Sequence, residues 1–234
     1  MAGVMNCLSQ AHDLSFCPAV RIQESIVSGP EKRAMFWLAK HTPSTINSDH
    51  LTVLGFISQC LAGVCYCLAR FHPYALVLGI IFIGLNWLGD SLDGNLARFR
   101  DRQRPRYGFY VDHITDTVGS FFLMGGMALS GYVHPAVAIG MLVAFLMLSI
   151  ESYLATYTIG KFQLSYWKFG PTEIRILLAM GNLALLTHPT VSIAGHHILL
   201  FDFGGSIAIV GMALMLAVSA IRHTVQLYRE ETRA

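Results

Sequence analysis

Apolar residues run along the chain in long stretches with short polar breaks. No charged side chain occurs in residues 71–89, 117–150, 176–201 or 203–221. A membrane-crossing helix needs roughly 20 such residues, so these runs suit lipid. The stretch 117–150 is too long for one crossing and divides at "SGYVHP". The stretch 176–201 divides at "THPT", where a proline ends one helix and opens a loop. Expected spans lie near 51–70, 74–97, 108–130, 135–158, 172–188 and 204–226. Only helices or closed barrels satisfy the backbone in lipid. The pattern therefore predicts an all-α integral membrane protein with six transmembrane helices. Ahead of them, "PEKRAMFWLAKH" at 30–41 mixes Lys32, Arg33 and Lys40 with Phe36, Trp37 and Leu38. That pattern predicts an amphipathic interfacial helix in the headgroup region, followed by the polar turn "TPSTINSD". The resulting organisation is a segment 1–29 without assigned structure, a juxtamembrane helix and turn at 30–46, and one membrane domain at 47–234.

Composition agrees with this. Of 234 residues, 54% are hydrophobic and 13% are Asp, Glu, Lys or Arg, where soluble domains carry about a quarter charged. The basic residues alternate between loops. Lys32, Arg33 and Lys40 precede the first span, five arginines from Arg98 to Arg106 follow the second, Lys161 and Lys168 follow the fourth, and Arg222, Arg229 and Arg233 lie at the end. The loops "FHP", "SGYVHP" and "THPTVSIAGHH" have no Lys or Arg. By the positive-inside rule both termini face the cytoplasm, and the expected location is the cell inner membrane. The five cysteines have no zinc or disulfide spacing and read as small hydrophobes. Residues 1–29 hold only Asp13, Arg21 and Glu24 as charges, so no cleaved signal peptide is expected. Membrane lipids are the expected surroundings, and no nucleic-acid partner is expected.

One stretch breaks the apolar pattern: "GDSLDGNLARFRDRQRPRYGFYVDHITD" at 89–116. Asp90 and Asp93 are three apart and Asp112 and Asp116 four apart, so each pair shares a helix face. One short loop joins the two helices, which makes them antiparallel neighbours. At about 1.5 Å rise per residue, Asp93 and Asp90 lie roughly 7 and 12 Å below Arg98. Asp112 and Asp116 lie roughly 9 and 15 Å below Arg106 by the same measure. The two pairs reach matching depths. Two carboxylates about 5 Å apart repel by roughly 3 kcal/mol at an effective dielectric near 20. Either some of the four are protonated, or cations hold them together. Hard oxygen ligands beside a basic cleft suit magnesium or manganese, with a phosphate completing the coordination. Helix-end salt bridges to the arginines are the alternative for any one acid; four at one depth weigh toward function. Gly94 and Ala97 on or beside the Asp90–Asp93 face, and Gly108 one turn before Asp112, leave room for a ligand at the backbone. Close helix packing uses small residues equally well.

"DSLDGNLAR" followed by "GFYVDHITD" resembles the signature of the CDP-alcohol phosphotransferase (CDP-alcohol phosphatidyltransferase) family, D-x-x-D-G-x-x-A-R then G-x-x-x-D-x-x-x-D. Asp90, Asp93, Gly94, Ala97, Arg98, Gly108, Asp112 and Asp116 occupy its eight positions. The loop between Arg98 and Gly108 is one residue longer than the family's spacing, at a place where insertions are tolerated. The resemblance implies two divalent cations, Mg2+ or Mn2+, and transfer of a phosphoalcohol group from a CDP-linked donor to an alcohol acceptor with release of CMP, in phospholipid biosynthesis. It further implies that Asp90, Asp93 and Asp112 are metal ligands, that Asp116 is a ligand and the general base, that Gly94 and Ala97 line the cytidine pocket, and that Arg98 holds the diphosphate, with Gly108 in the same donor site. The donor is expected to be CDP-diacylglycerol, because a lipid-borne donor suits the depth of the acids; a soluble CDP-alcohol with a lipid acceptor is the other option. Glycerol phosphate, inositol or its phosphate, and serine are acceptor candidates. A homodimer is compatible with the resemblance and has no counterpart in the sequence pattern.

Lys161, Lys168 and Arg175 lie around "KFQLSYWKFGPTEIR". They suit an acceptor phosphate, or, for Arg175, pairing with Glu173 or Glu151. His113 falls roughly 100° from the acid face and is expected to pack elsewhere. Two rival functions remain. A membrane prenyltransferase also binds magnesium diphosphate through aspartates, but its two motifs lie far apart in sequence. A cation or proton transporter would line a path across the bilayer with acids, whereas here they crowd one end.

Overall fold

The computed structural model describes residues 20–22, 28–163, 170–193 and 195–232, with residues 20–22, 28 and 161–163 described by their backbone alone. Among these there are seven helices: α1 (Ser28–His41), α2 (Ser48–Ala69), α3 (Ala75–Phe99), α4 (Pro105–Leu129), α5 (Pro135–Ile159), α6 (Pro171–Leu185) and α7 (Leu200–Glu231). Strands β1 (Val20–Ile22) and β2 (Lys161–Gln163) pair in parallel, and β3 (Thr190–Ile193) and β4 (His196–Leu199) form an antiparallel hairpin. The fold is all-helical apart from these two short pairings.

Four helices, α2, α3, α5 and α7, are long and apolar enough to cross a membrane, and the chain is a membrane protein. Six were expected. α4 has 25 residues, but its first half carries Arg106, Asp112, His113 and Asp116, which lower its hydropathy. α6 has 15 residues, short of the roughly 20 that a perpendicular crossing needs. The outward faces suit lipid: Ile57, Val64 and Leu68 on α2, and Val210, Leu214, Val218 and Ile221 on α7, are all exposed. The stretch expected as a loop after α6 is the β3–β4 hairpin. Its β-branched Thr190, Val191 and Ile193 favour extended backbone, and Gly195 takes the turn at φ +83°.

Local signals account for the helix ends. Proline opens α4, α5 and α6 at Pro105, Pro135 and Pro171, where its missing N–H costs nothing. α3 closes with a left-handed residue, Asp101 at φ 51°. The Arg102 N–H donates to the Ala97 carbonyl at 2.9 Å and the Asp101 N–H to the Arg98 carbonyl at 3.2 Å, the pair of bonds that defines a Schellman cap.

Packing centres on α2. Its broadest contacts are with α3 and α4; α3 also holds α1 and α6, and α5 joins α4 to α7. Glycines set the spacing. A Cβ on Gly89 would stand 2.6 Å from the Leu51 carbonyl oxygen and 2.7 Å from the Gly55 nitrogen. On the α2–α4 side, a Cβ on Gly126 would overlap the backbone of Gly63. Backbones this close bring van der Waals contact where lipid supplies no hydrophobic drive between helices. One core gathers Tyr66, Leu76, Ile83, Leu123, Met127, Met141 and Leu185. A smaller one joins Met35 and Ala39 of α1 to Leu51, Leu92 and Leu96.

Candidate active site

The seam between α2 and α3 runs directly beside the acids. With Gly89 seated on Gly55, the next residue, Asp90, is held where α2, α3 and α4 meet. A cleft there is lined by Thr52, Gly55, Phe56 and Gln59 of α2, Asn86, Asp90 and Asp93 of α3, and Asp112, Thr115 and Asp116 of α4. All four aspartates expected to meet do line one cleft. Its accessible volume is about 10 Å³, room for one water or ion and nothing larger.

Each acid sits in a distinct setting. Asp93 is buried, 6% exposed. Its Oδ2 accepts from the Thr52 hydroxyl at 2.7 Å, its Oδ1 from the Gly94 N–H at 2.5 Å, and its carbonyl from the Ser48 hydroxyl at 3.0 Å. Asp90 Oδ2 accepts from Nη2 of Arg175 at 2.8 Å. Arg175 Nε donates to Asn86 Oδ1 at 2.9 Å, and Asn86 Nδ2 donates to the Gly55 carbonyl at 3.1 Å. Asp116 lies within electrostatic range of Asp90, Asp112, Asp93 and Arg175.

Arg175 therefore belongs to the acid cluster, and its expected carboxylate partners were the wrong ones. Glu173 Oε2 accepts from the Gly170 N–H at 2.9 Å and caps α6. Glu151 Oε1 meets His223 Nδ1 at 2.6 Å. The partner of Arg175 is Asp90, because α6 lies against α3. Lys168 lies outside the described residues, and Lys161 is described only as backbone in β2. His113 packs as expected, stacked on Tyr153 with ring centroids 4.7 Å apart and edge-on to Phe109 at 4.2 Å.

The donor-site candidates separate from the packing glycines. Nothing lies within 4 Å of a Cβ built on Gly108, and on Gly94 it would meet only the Arg98 guanidinium, at 3.7 Å. Neither glycine has a positive φ. The fold does not use their lack of a side chain, so the packing explanation that serves Gly55 and Gly89 fails for these two. Ala97 lies on α3 between them, half-buried, and Arg98 donates to Asn95 Oδ1 at 3.0 Å on the exposed side. The arginine loop is more than a solvated positive patch. Arg100 donates to the carbonyls of Ile46, Thr42 and Pro43 at 2.6, 2.9 and 2.9 Å. Arg104 pairs with Asp49 and lies 4.3 Å over the Tyr107 ring.

Residues not singled out from the sequence are Thr52, Gln59, Asn86 and Thr115. The stripe Ser48, Thr52, Gly55 and Gln59, polar or small at helical spacing in an apolar run, was the signal that could have found the α2 wall.

Among the described residues, no three carboxylate, imidazole or thiol groups stand as placed to hold a metal ion. The donor set nonetheless fits divalent cations in kind: four hard carboxylates around one cleft of ion size. Two of them already have other partners, Asp90 with Arg175 and Asp93 with Thr52, which chelation would have to share or replace.

A helical membrane protein with four carboxylates gathered in one cleft is the class that fold and site define. The family model for CDP-alcohol phosphatidyltransferase matches residues 46–225, and the chain belongs to that family. Members transfer a phosphatidyl group from a CDP-linked donor to an alcohol, a transferase reaction of phospholipid biosynthesis. No individual curated protein matches the chain.

Proposed function

We propose that this chain transfers a phosphatidyl-type group from CDP-diacylglycerol to a polar alcohol and releases CMP. The observation that carries the reading is the four aspartates of α3 and α4 lining one cleft against α2, within a chain of this family. Asp90, Asp93, Asp112 and Asp116 would hold two divalent cations, Mg2+ or Mn2+, once the cleft widens beyond the single-ion space it has here. When bound, these neutralise the phosphoryl oxygens and stabilise the CMP leaving group.

The chain's own residues do the rest. Gly94 and Gly108 present bare backbone to the donor, Ala97 adds only a methyl group, and Arg98, exposed on the same helix as Gly94, takes its diphosphate. Asp116 accepts the proton of the acceptor hydroxyl as its oxygen attacks phosphorus. Asn86 and Asp90 hold Arg175 at the cleft. A guanidinium carries five donors, so it can take an acceptor phosphate together with Lys161 and Lys168.

The bilayer arrangement belongs to the same reading. α4 and α6 complete a six-span domain at 47–234, with the acid cleft and both termini on the cytoplasmic side of the inner membrane. α1, with Phe36 and Trp37 exposed, lies in the headgroup layer as the juxtamembrane element 30–46. The protein acts among membrane lipids, alone or as a homodimer. A lipid-borne donor then reaches the acids from the bilayer while the polar acceptor arrives from the cytoplasm.

The test is CMP release by purified protein with CDP-diacylglycerol, magnesium and a panel of glycerol phosphate, inositol, inositol phosphate and serine, repeated with chelator. Metal-dependent CMP formation with one alcohol supports the proposal and names the acceptor. No CMP with any of them overturns the donor assignment, and soluble CDP-alcohols with a lipid acceptor are then the arm to run.

A further inference from the structure

Glu31 is the one acid in the first turn of α1, far in sequence from the cleft, yet its carboxylate ties together the elements that build it. Its Oε1 accepts three hydrogen bonds, each 3.0 Å: from the Trp87 indole N–H and the Ser91 hydroxyl on α3, and from the Thr172 hydroxyl on α6. The positions of the donors matter. Ser91 lies between Asp90 and Asp93. Thr172 is the second residue of α6, one turn before Arg175. The same carboxylate oxygen therefore grips α3 beside two of the acids and grips α6 one turn from the guanidinium that meets Asp90.

We infer that Glu31 is a positioning residue that sets the Arg175–Asp90 contact by clipping the start of α6 to α3. The inference rests on the proposed reaction for its kinetic consequence, though not for its structural one. α6 needs such a clip. It is short, 15 residues. Its own cap, Glu173 on the Gly170 N–H, is internal to α6. Met35 and Ala39, buried against Leu92 and Leu96 on α3, give α1 the anchorage from which Glu31 reaches across. An ionised carboxylate is an acceptor only, and bonds to it are stronger than neutral ones. One glutamate thus suits three donors better than any neutral side chain of that length.

The experiment compares wild type, Glu31→Ala, Glu31→Gln and Thr172→Val as full-length protein in detergent, by amide hydrogen exchange and by CMP-release kinetics. In Glu31→Ala, exchange across residues 171–177 should rise about tenfold, while segments 138–150 of α5 and 205–219 of α7 keep wild-type rates. kcat should fall about tenfold with the KM for the CDP donor unchanged. Glu31→Gln keeps an acceptor oxygen on the same stem and should restore both to within about threefold. Thr172→Val removes only the α6 arm and should raise exchange at 171–177 alone; it carries the test if Glu31→Ala does not fold. Unchanged exchange at 171–177 overturns the inference, as does an equal rise in α5 and α7, which would mark general loosening. Should wild type release no CMP from any CDP donor, the reaction reading has failed, and the exchange result still decides the clip.

Discussion

Asp93 is buried, and both its oxygens already accept hydrogen bonds from the protein. Replacing it by asparagine keeps an acceptor for the Gly94 N–H and lets the Thr52 hydroxyl, which also donates to the Ser48 carbonyl, accept from the new amide, so the change removes the charge a cation needs and little else. Asp93→Asn should reduce metal-dependent CMP release by a factor of about 100 or more, measured against a chelated control. Asp116→Asn should lose turnover to a similar degree, about 100-fold, yet still bind the CDP donor, as titration calorimetry with a non-transferable analogue would report. Wild-type turnover in either variant would sink the site assignment. Arg175→Ala should raise KM for a phosphorylated acceptor and leave it unchanged for an unphosphorylated one; an equal effect on both would reduce Arg175 to a partner of Asp90. The acids themselves were legible because charge in an apolar run at three- and four-residue spacing has few structural explanations. The partner of Arg175 was not, since it lies 85 positions away on α3 and depends on how two helices lie together, which no local pattern encodes. Thr52 and Asn86 were missed for a related reason: a single hydroxyl or amide in an apolar helix is ordinary until its partner is known.

Two kinds of glycine lie on these helices, those at backbone contacts and those facing open space, and mutation separates them. Gly89→Ala forces a methyl group into the backbone of α2 and should destabilise by about 1–3 kcal/mol, read as a lowered Tm in detergent. Gly108→Ala meets open space and Gly94→Ala only ordinary contact with the Arg98 guanidinium, so Tm should stay near wild type while the KM for the CDP donor rises. A fall in Tm for both would return these glycines to packing. Asp101→Gly offers a third comparison. A left-handed conformation costs an L-residue about 1 kcal/mol, so glycine there should raise Tm slightly, and valine should lower it. Helix starts followed from Pro105, Pro135 and Pro171, whose fixed φ and missing N–H favour a first turn. The β3–β4 hairpin did not follow, because four-residue strands beside a proline look like a loop until the two halves pair.

The membrane-bound assembly carries a sided prediction. With the native cysteines replaced, a cysteine at exposed Arg102 should react with a membrane-impermeant maleimide only from the cytoplasmic face, and one at exposed Tyr74 only from the other. Labelling of both from one face would show that α3 does not cross, and labelling of each from the opposite face would reverse its proposed course. That the chain lives in lipid was legible from charge-free runs alone. The number of crossings was less so, because α4 trades hydropathy for its aspartates and α6 is short. The seam of Gly55 on Gly89, with Gly63 on Gly126 behind it, has a further consequence for how such an enzyme diversifies. Main chain resting on main chain leaves no side chain to exchange, so the half of the molecule that carries the four acids is closed to gradual remodelling. α5, α6 and α7 meet their neighbours through side chains and can drift. New acceptor alcohols should therefore be reached by changing those three helices around a catalytic half that stays as it is, and a directed-evolution library aimed there should yield altered acceptors without losing the donor.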